Sequence, residues 1–378
     1  MEIRAEFVQV RPQPVAPASP ANPVYGGVER LLVVRDDRLG DLVLSLPAVE
    51  RLRAAYGGAR IGLLVAPGLS ALARMFRPVD EVLESGPDVV STTTVIRAFR
   101  PDAAVCLSRR GSVVCALHRA GVRRITGTGR RWFSFRFDRR VGRSRRRAMR
   151  HELEHALDIA ACAGATHAAP RFPLDVPEDA TERIDAWLGR QGIDEAPIVI
   201  HPGTGGSCPP WPVNRWLELA RALRSVGRTV VVSVGPSEQA LSRTFGAEEF
   251  AVLDGSLPEL AALLARSRVV LSNSTGPIHL AAALDRPTLA IHAPWRSCSA
   301  ERWAPYSEHG WALVVRRPGS RRWSRRQRRR WAAEGMSGLG IETVGAAVEA
   351  LLAGNSPLAA APLHGWPPSS QGVHYQGS

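Results

Sequence analysis

The stretch LLVVRDDRLGDLVLSLPAVERLR, residues 31–53, decides how the rest of the chain is read. Residues 31–34 are four apolar side chains in succession, the pattern of a short strand covered on both faces of a parallel sheet. Helical spacing follows, with Leu42, Leu46, Val49, Leu52 and Tyr56 on one face and Gly57 and Gly58 closing the helix. Gly40 allows a tight approach at the junction. Asp41 stands at the mouth of the helix, where backbone amides favour negative charge. A carboxylate there either caps the helix or faces a cleft as a general base, and spacing alone leaves both open. Asp36 and Asp37 on the same loop read as solvated carboxylates.

Working outward, residues 61–65 and 103–107 repeat the strand pattern, and a helix over 151–162 completes a first half. Residues 127–147 are rich in arginine, with interleaved aromatics and no clear period. Pro170, Pro173 and Pro177 precede a helix near 181–188. The alternation then restarts. Strands are predicted at 198–200, 229–234, 269–271 and 288–291, with helices after residue 212, at 257–264 and after residue 275. Two such series predict an α/β protein with two doubly wound parallel sheets, each a Rossmann-like domain. Ligands of such sheets bind beyond the carboxyl ends of the strands, here in a cleft faced by both domains. The expected boundaries are a disordered Pro-rich leader over 1–27, an N-terminal domain over 28–170, a connection over 171–195, a C-terminal domain over 196–354 and a disordered tail over 355–378.

Composition removes several chemistries. All 49 basic residues are arginine, so a Walker phosphate loop, a Schiff base and a pyridoxal-phosphate anchor are excluded for want of a lysine. The net charge of +14 is uneven: residues 97–150 carry +15, residues 316–330 carry +9, and the remainder is mildly acidic. Such concentration points to a polyanionic partner or to a solvated arginine face. The five cysteines form no CxxC pair and read as reduced thiols of a cytoplasmic protein, without a structural zinc site. No apolar run approaches the roughly 18 residues of a membrane span.

Two further segments follow strands and open helices. HPGTGG (residues 201–206) offers Gly203, Gly205 and Gly206, whose amides could seat a phosphate, and the hydroxyl of Thr204; a plain glycine-rich turn is the alternative. SNSTGPIHLAAAL (residues 272–284) places Asn273, Ser274, Thr275 and Gly276 before a helix that carries His279 on its first turn. That arrangement suits a pyrophosphate, with the imidazole donating a hydrogen bond, or else a capped helix with a core histidine.

In this order the three segments resemble glycosyltransferase family 9, the ADP-heptose:lipopolysaccharide heptosyltransferases. The resemblance rests on LLVVRDDRLGDLVLSLPAVERLR, HPGTGGSCPPWPVNRWLELARAL and LAALLARSRVVLSNSTGPIHLAAALDRPTLAIHAP, with HELEHALDIAACAGA between the first two, and covers about residues 30–350. It implies the glycosyltransferase B fold, with the acceptor on the N-terminal domain and a nucleotide-sugar donor on the C-terminal one. It also implies inverting transfer without metal or cofactor. Asp41 takes the role of general base in this comparison. Thr204, Gly205, Ser274, Thr275, Gly276 and His279 become donor contacts, and Glu238 a contact to ribose or base.

Two positions depart from the family pattern. Pro209 stands where members commonly have a phosphate-binding lysine, and Ser274 where many have aspartate; Arg215 or Arg296 is the expected substitute cation. The arginine segment falls in the implied acceptor half. Arg143, Arg145, Arg146 and Arg147 are therefore expected to bind an anionic glycolipid or glycan at the inner face of an anionic membrane. The chain is expected to act as a monomer. A catalytically degenerate member that binds without transferring is the alternative raised by Pro209 and Ser274. Nucleic-acid binding through RRWFSFRFDRR and RRPGSRRWSRRQRRRW leaves the three motifs unexplained.

Overall fold

The computed structural model describes residues 4–10, 22–142, 150–166, 169–206, 208–316 and 323–359. The chain divides into two compact units, one of residues Arg11–Glu178 and the other joining Met1–Val10 to Asp179–Ser378. It opens on β1 (Arg4–Val8), which belongs to the second unit.

The N-terminal unit is built on β2 (Arg30–Arg35), β3 (Arg60–Val65), β4 (Glu81–Glu84), β5 (Ala103–Cys106), β6 (Arg124–Thr128) and β7 (Arg139–Val141). All pairings are parallel, in the order β4-β3-β2-β5-β6-β7. The order therefore reverses between β2 and β5, and a crevice opens beyond their carboxyl ends. Leu31, Leu32, Val33 and Val34 are fully buried, as an all-apolar central strand requires. The single helix expected after β2 is two helices, Leu39–Val43 and Leu46–Ala55. Pro47 has no N–H to continue the first, and the Ser45 hydroxyl donates to the Asp41 carbonyl at 2.8 Å in the gap. The aperiodic aromatic run resolves into a 3-10 turn, Ser134–Arg136. Phe133 and Phe137 enter the core around β2 and β5, whereas Trp132 and Phe135 are 75% and 67% exposed.

The C-terminal unit contains β8 (Ile198–His201), β9 (Val230–Ser233), β10 (Ala251–Leu253), β11 (Val269–Asn273), β12 (Thr288–His292) and β13 (Gly310–Arg316). Its order is β1-β13-β12-β11-β8-β9-β10, parallel throughout except for β1, so here the reversal lies between β8 and β11. Trp211 and Trp216, both fully buried with ring centroids 4.9 Å apart, pack against the apolar faces of these strands.

Several expected boundaries are corrected. Residues 1–27 do not all form a disordered leader, because β1 pairs antiparallel with β13 from Arg4↔Arg316 to Val8↔Ala312. An unpaired β13 would be an exposed edge, and β1 covers it while Phe7 packs on the core. Residues 22–27 are also held: the Asn22 amide donates to the Gly164 carbonyl at 3.2 Å, and the buried Tyr25 hydroxyl lies 3.0 Å from Thr126 Oγ1. Gly164 has φ +92°, and a side chain there would collide with the Asn22 carbonyl. The 171–195 connection is divided between the units. Backbone bonds from Arg77 to Pro173 and from Asp175 to Met75 tie its start to the first unit, and helix Glu178–Arg190 buries Ala180, Ile184 and Leu188. In the expected tail, residues 357–359 form a 3-10 turn. Among the described residues, no helix is long and apolar enough to cross a membrane.

Candidate active site

At the β2/β5 crevice the organising side chain is Arg35, the last residue of β2 and 1% exposed. Its Nη1 donates to the Leu107 carbonyl at 2.6 Å, which ties the end of β2 to the loop after β5. Its Nη2 donates to Asp41 Oδ1 at 2.6 Å and to Glu152 Oε1 at 3.3 Å, and its Nε to the Asp41 carbonyl at 3.2 Å. Burial opposes the guanidinium charge, but Asp41, Asp37 and Glu152 around it outweigh that and push its pKa up. Asp41 lies in the first turn of helix Leu39–Val43 and makes no cap. Its Oδ1 also faces Arg109 at 3.9 Å, while Oδ2 has no hydrogen-bond partner among the described residues. One oxygen is thus held and the other is open to a proton. Asp36 and Asp37 are not the solvated carboxylates expected: Asp36 is 2% exposed, and burial pushes the Asp37 carboxyl above its ordinary range, only partly offset by Arg35.

The second group gathers at the ends of β8, β9 and β11. Ser272 Oγ donates to the His201 carbonyl at 3.0 Å and lies 2.8 Å from Thr275 Oγ1. Asn273 Nδ2 donates to the Pro202 carbonyl at 2.6 Å, and its Oδ1 accepts from the Trp211 amide at 2.9 Å. These bonds join HPGTGG to SNSTG across the sheet reversal. Glu238 fastens the loop from the β9 side, accepting from the Gly235 amide at 2.9 Å and the Gly205 amide at 3.4 Å. A Cβ at position 203 would strike that carboxylate and displace it. The Gly206 amide is bonded to Thr204 Oγ1 at 3.2 Å. The amides of Gly205 and Gly206, expected to seat a phosphate, are therefore both engaged within the chain. His201 is buried, 3.1 Å from Ser233 Oγ and 3.7 Å from Glu238; burial pushes its pKa down more than Glu238 raises it.

Thr275 precedes helix Gly276–Ala283, on which His279 is 3% exposed with its ring 6.2 Å from Trp303. Ser274 is buried, and its amide donates to the Ile291 carbonyl at 3.1 Å. A cavity of about 250 Å³ opens beside the loop, lined by Thr204, Gly206, Cys208, Pro209, Pro210 and Trp295, and walled on its remaining side by helix Arg325–Ser337.

The expectation of five reduced thiols is corrected. Cys208 and Cys298 form a disulfide with Cα atoms 6.3 Å apart, which joins the loop after β8 to the turn Arg296–Cys298 after β12; Cys106, Cys115 and Cys162 are free. Ninety residues separate the pair, so no local spacing announces it. Arg215, one of the two expected substitute cations, is paired with Glu218 on its own helix at 2.8 Å. Arg143, Arg145, Arg146 and Arg147 lie outside the described residues. Among the described residues, no group of three or more His, Cys, Asp or Glu side chains is placed to hold a metal ion. Sequence reasoning passed over Arg35 and Glu152; the signal was a charge at the end of an otherwise apolar strand and another opening HELEH.

Two units, each with a strand order that reverses at its centre and with polar loops at that reversal, are the fold of the B-type glycosyltransferases. A family 9 glycosyltransferase from Veillonella parvula superposes with TM-score 0.74 at 20% identity, covering 86% of this chain and 98% of that one. The ADP-heptose lipopolysaccharide heptosyltransferase II of E. coli gives TM-score 0.70 at 20% identity, over 86% and 99%. In sequence, lipopolysaccharide heptosyltransferase 1 of Salmonella typhimurium is 25% identical over 292 residues, 70% of this chain and 88% of that protein. The profile of glycosyltransferase family 9 (heptosyltransferase) matches residues 118–329, more than half of the chain. The protein belongs to that family and is a glycosyltransferase of the heptosyltransferase type.

Proposed function

We propose that the chain transfers a heptose or similar sugar from a nucleoside diphosphate donor, ADP-heptose in the first instance, to a lipopolysaccharide core or other surface glycan. Transfer is inverting and requires no metal. The carrying observation is the half-held carboxylate of Asp41: Arg35 fixes Oδ1, and Oδ2 has no hydrogen-bond partner among the described residues. Asp41 Oδ2 accepts the proton of the acceptor hydroxyl while that oxygen forms a bond to the anomeric carbon and the bond to the donor diphosphate breaks. Thr204, Ser274, Thr275, Gly276 and His279 receive the donor, and Glu238 acts by holding the glycine loop in shape through the Gly205 and Gly235 amides. Support for the donor class comes from the likeness to the ADP-heptose lipopolysaccharide heptosyltransferase II of E. coli.

The acceptor side is the arginine-rich segment. Exposed Trp132 and Phe135, flanked by Arg130, Arg131, Arg136, Arg139 and Arg140, suit the headgroup level of an anionic membrane, where aromatic rings and cations are both favoured. The enzyme works in the cytoplasm, peripherally at that surface. The decisive experiment is Asp41→Asn, assayed for transfer from ADP-heptose and for ADP affinity. Transfer falls about a thousandfold while affinity is unchanged; wild-type turnover in the variant would remove the base from Asp41. A native chain that binds ADP yet turns over no nucleotide sugar is the degenerate binder instead.

A further inference from the structure

The cavity beside the glycine loop has a wall whose charge nothing described in the structure neutralises. Besides the loop residues and Trp295 it is lined by Arg325 and Arg329, and by no aspartate or glutamate among the described residues. The two arginines are four residues apart on helix Arg325–Ser337, so they lie on one face of it. The start of that helix is fixed: Ser324 Oγ accepts from the Gln327 amide at 3.2 Å, and the Ser324 amide donates to Gln327 Oε1 at 2.8 Å. Further along, Ala332, Gly335 and Met336 are buried and anchor it to the unit. On the same helix Arg330 is paired with Glu334 at 3.0 Å, and on the helix after the loop Arg215 is paired with Glu218 at 2.8 Å. Neither Arg325 nor Arg329 pairs with a described carboxylate. Like charges at this spacing repel each other along the helix unless an anion lies between them.

The facing wall needs such a cation and has none. HPGTGGSCPPWP contains neither lysine nor arginine, and its Gly205 and Gly206 amides are bonded within the chain. Thr204 and Gly206 nevertheless line the same cavity as the two guanidiniums. A guanidinium fork matches phosphate oxygens in geometry as well as charge. We propose that Arg325 and Arg329 bind the diphosphate of the nucleotide-sugar donor, giving the helix near the chain's end the electrostatic task that the glycine loop cannot perform. This rests on the donor reading above and adds two residues to it.

The test is calorimetric titration of the full chain with ADP, UDP, GDP, dTDP and inorganic pyrophosphate at two salt concentrations. Native protein is compared with Arg325→Gln, Arg329→Gln, the double variant and Arg330→Gln, with circular dichroism to verify folding. Each single change is expected to weaken the bound diphosphate about tenfold, and the double variant about a hundredfold with a flatter salt dependence. Arg330→Gln is expected to bind as the native chain does. A folded double variant with native affinity and salt dependence would overturn the inference while leaving the donor reading intact. If the native chain binds no nucleoside diphosphate, the donor reading falls, and pyrophosphate still reports on the two arginines. Binding of none of these probes by the native chain overturns both.

Discussion

Arg35 Nη2 stands 2.6 Å from Asp41 Oδ1, with side chains only 1% and 8% exposed, so a buried cation holds the carboxylate proposed as the general base. The pair closes a turn of seven residues at the end of β2, and the same guanidinium reaches Leu107 and Glu152. Position, charge and loop geometry at this end of the sheet all pass through one side chain.

Arg35→Met should therefore be severe. It removes the cation from a buried cluster of Asp37, Asp41 and Glu152, and uncompensated buried charge costs about 3–5 kcal/mol. Urea unfolding should show a loss of that size, whereas Arg330→Met, on an exposed pair with Glu334, should cost less than about 1 kcal/mol. Equal losses for the two variants would deny Arg35 its central place.

Asp37 gives a pH signature. Its folded pKa lies above the ordinary carboxylate value because burial penalises its charge. Between the unfolded and the folded pKa the native state holds the proton more tightly, so stability falls as pH rises through that window and stays reduced at neutrality. Asp37→Asn is expected to raise Tm at pH 7 by about 2 °C and to have little effect below about pH 3, where both states are largely protonated. A variant less stable than the native chain at pH 7 would show that the Asp37–Arg35 attraction, at 3.5 Å, outweighs burial.

The Cys208–Cys298 bond closes a long loop, and cross-linking residues 90 apart in sequence is worth up to about 4.6 kcal/mol through the unfolded chain. Non-reducing mass spectrometry should recover the two cysteines on one linked peptide pair. Cys208→Ser or dithiothreitol should lower Tm, and should weaken ADP binding if the pinned loop shapes the cavity. Quantitative alkylation of Cys208 and Cys298 in the unreduced native protein would be the contrary result.

The architecture was legible because parallel strands buried on both faces are written as short apolar runs, and each of the two series restarts at a visible place, residues 31–34 and 198–200. β4, β6 and β7 were not legible: EVLE, RITGT and RRV lie at or toward a sheet edge and carry polar residues like those of a loop. β1 was hidden for a different reason. RAEFV lies beside a proline-rich segment, and only β13, more than three hundred residues away, makes it a strand.

The sequence by itself determined the two sheets, the loops where polar residues collect, and the position of Asp41 at the start of a helix after a buried strand. Those features depend on neighbours along the chain, whose periodicity is local. The tertiary structure alone decided that Arg35 clamps Asp41 and meets Glu152, that Cys208 finds Cys298, and that Arg325 and Arg329 face Thr204 across a cavity. Each joins side chains from separate elements, and such contacts depend on how strands are ordered and loops are folded, which residue spacing does not encode.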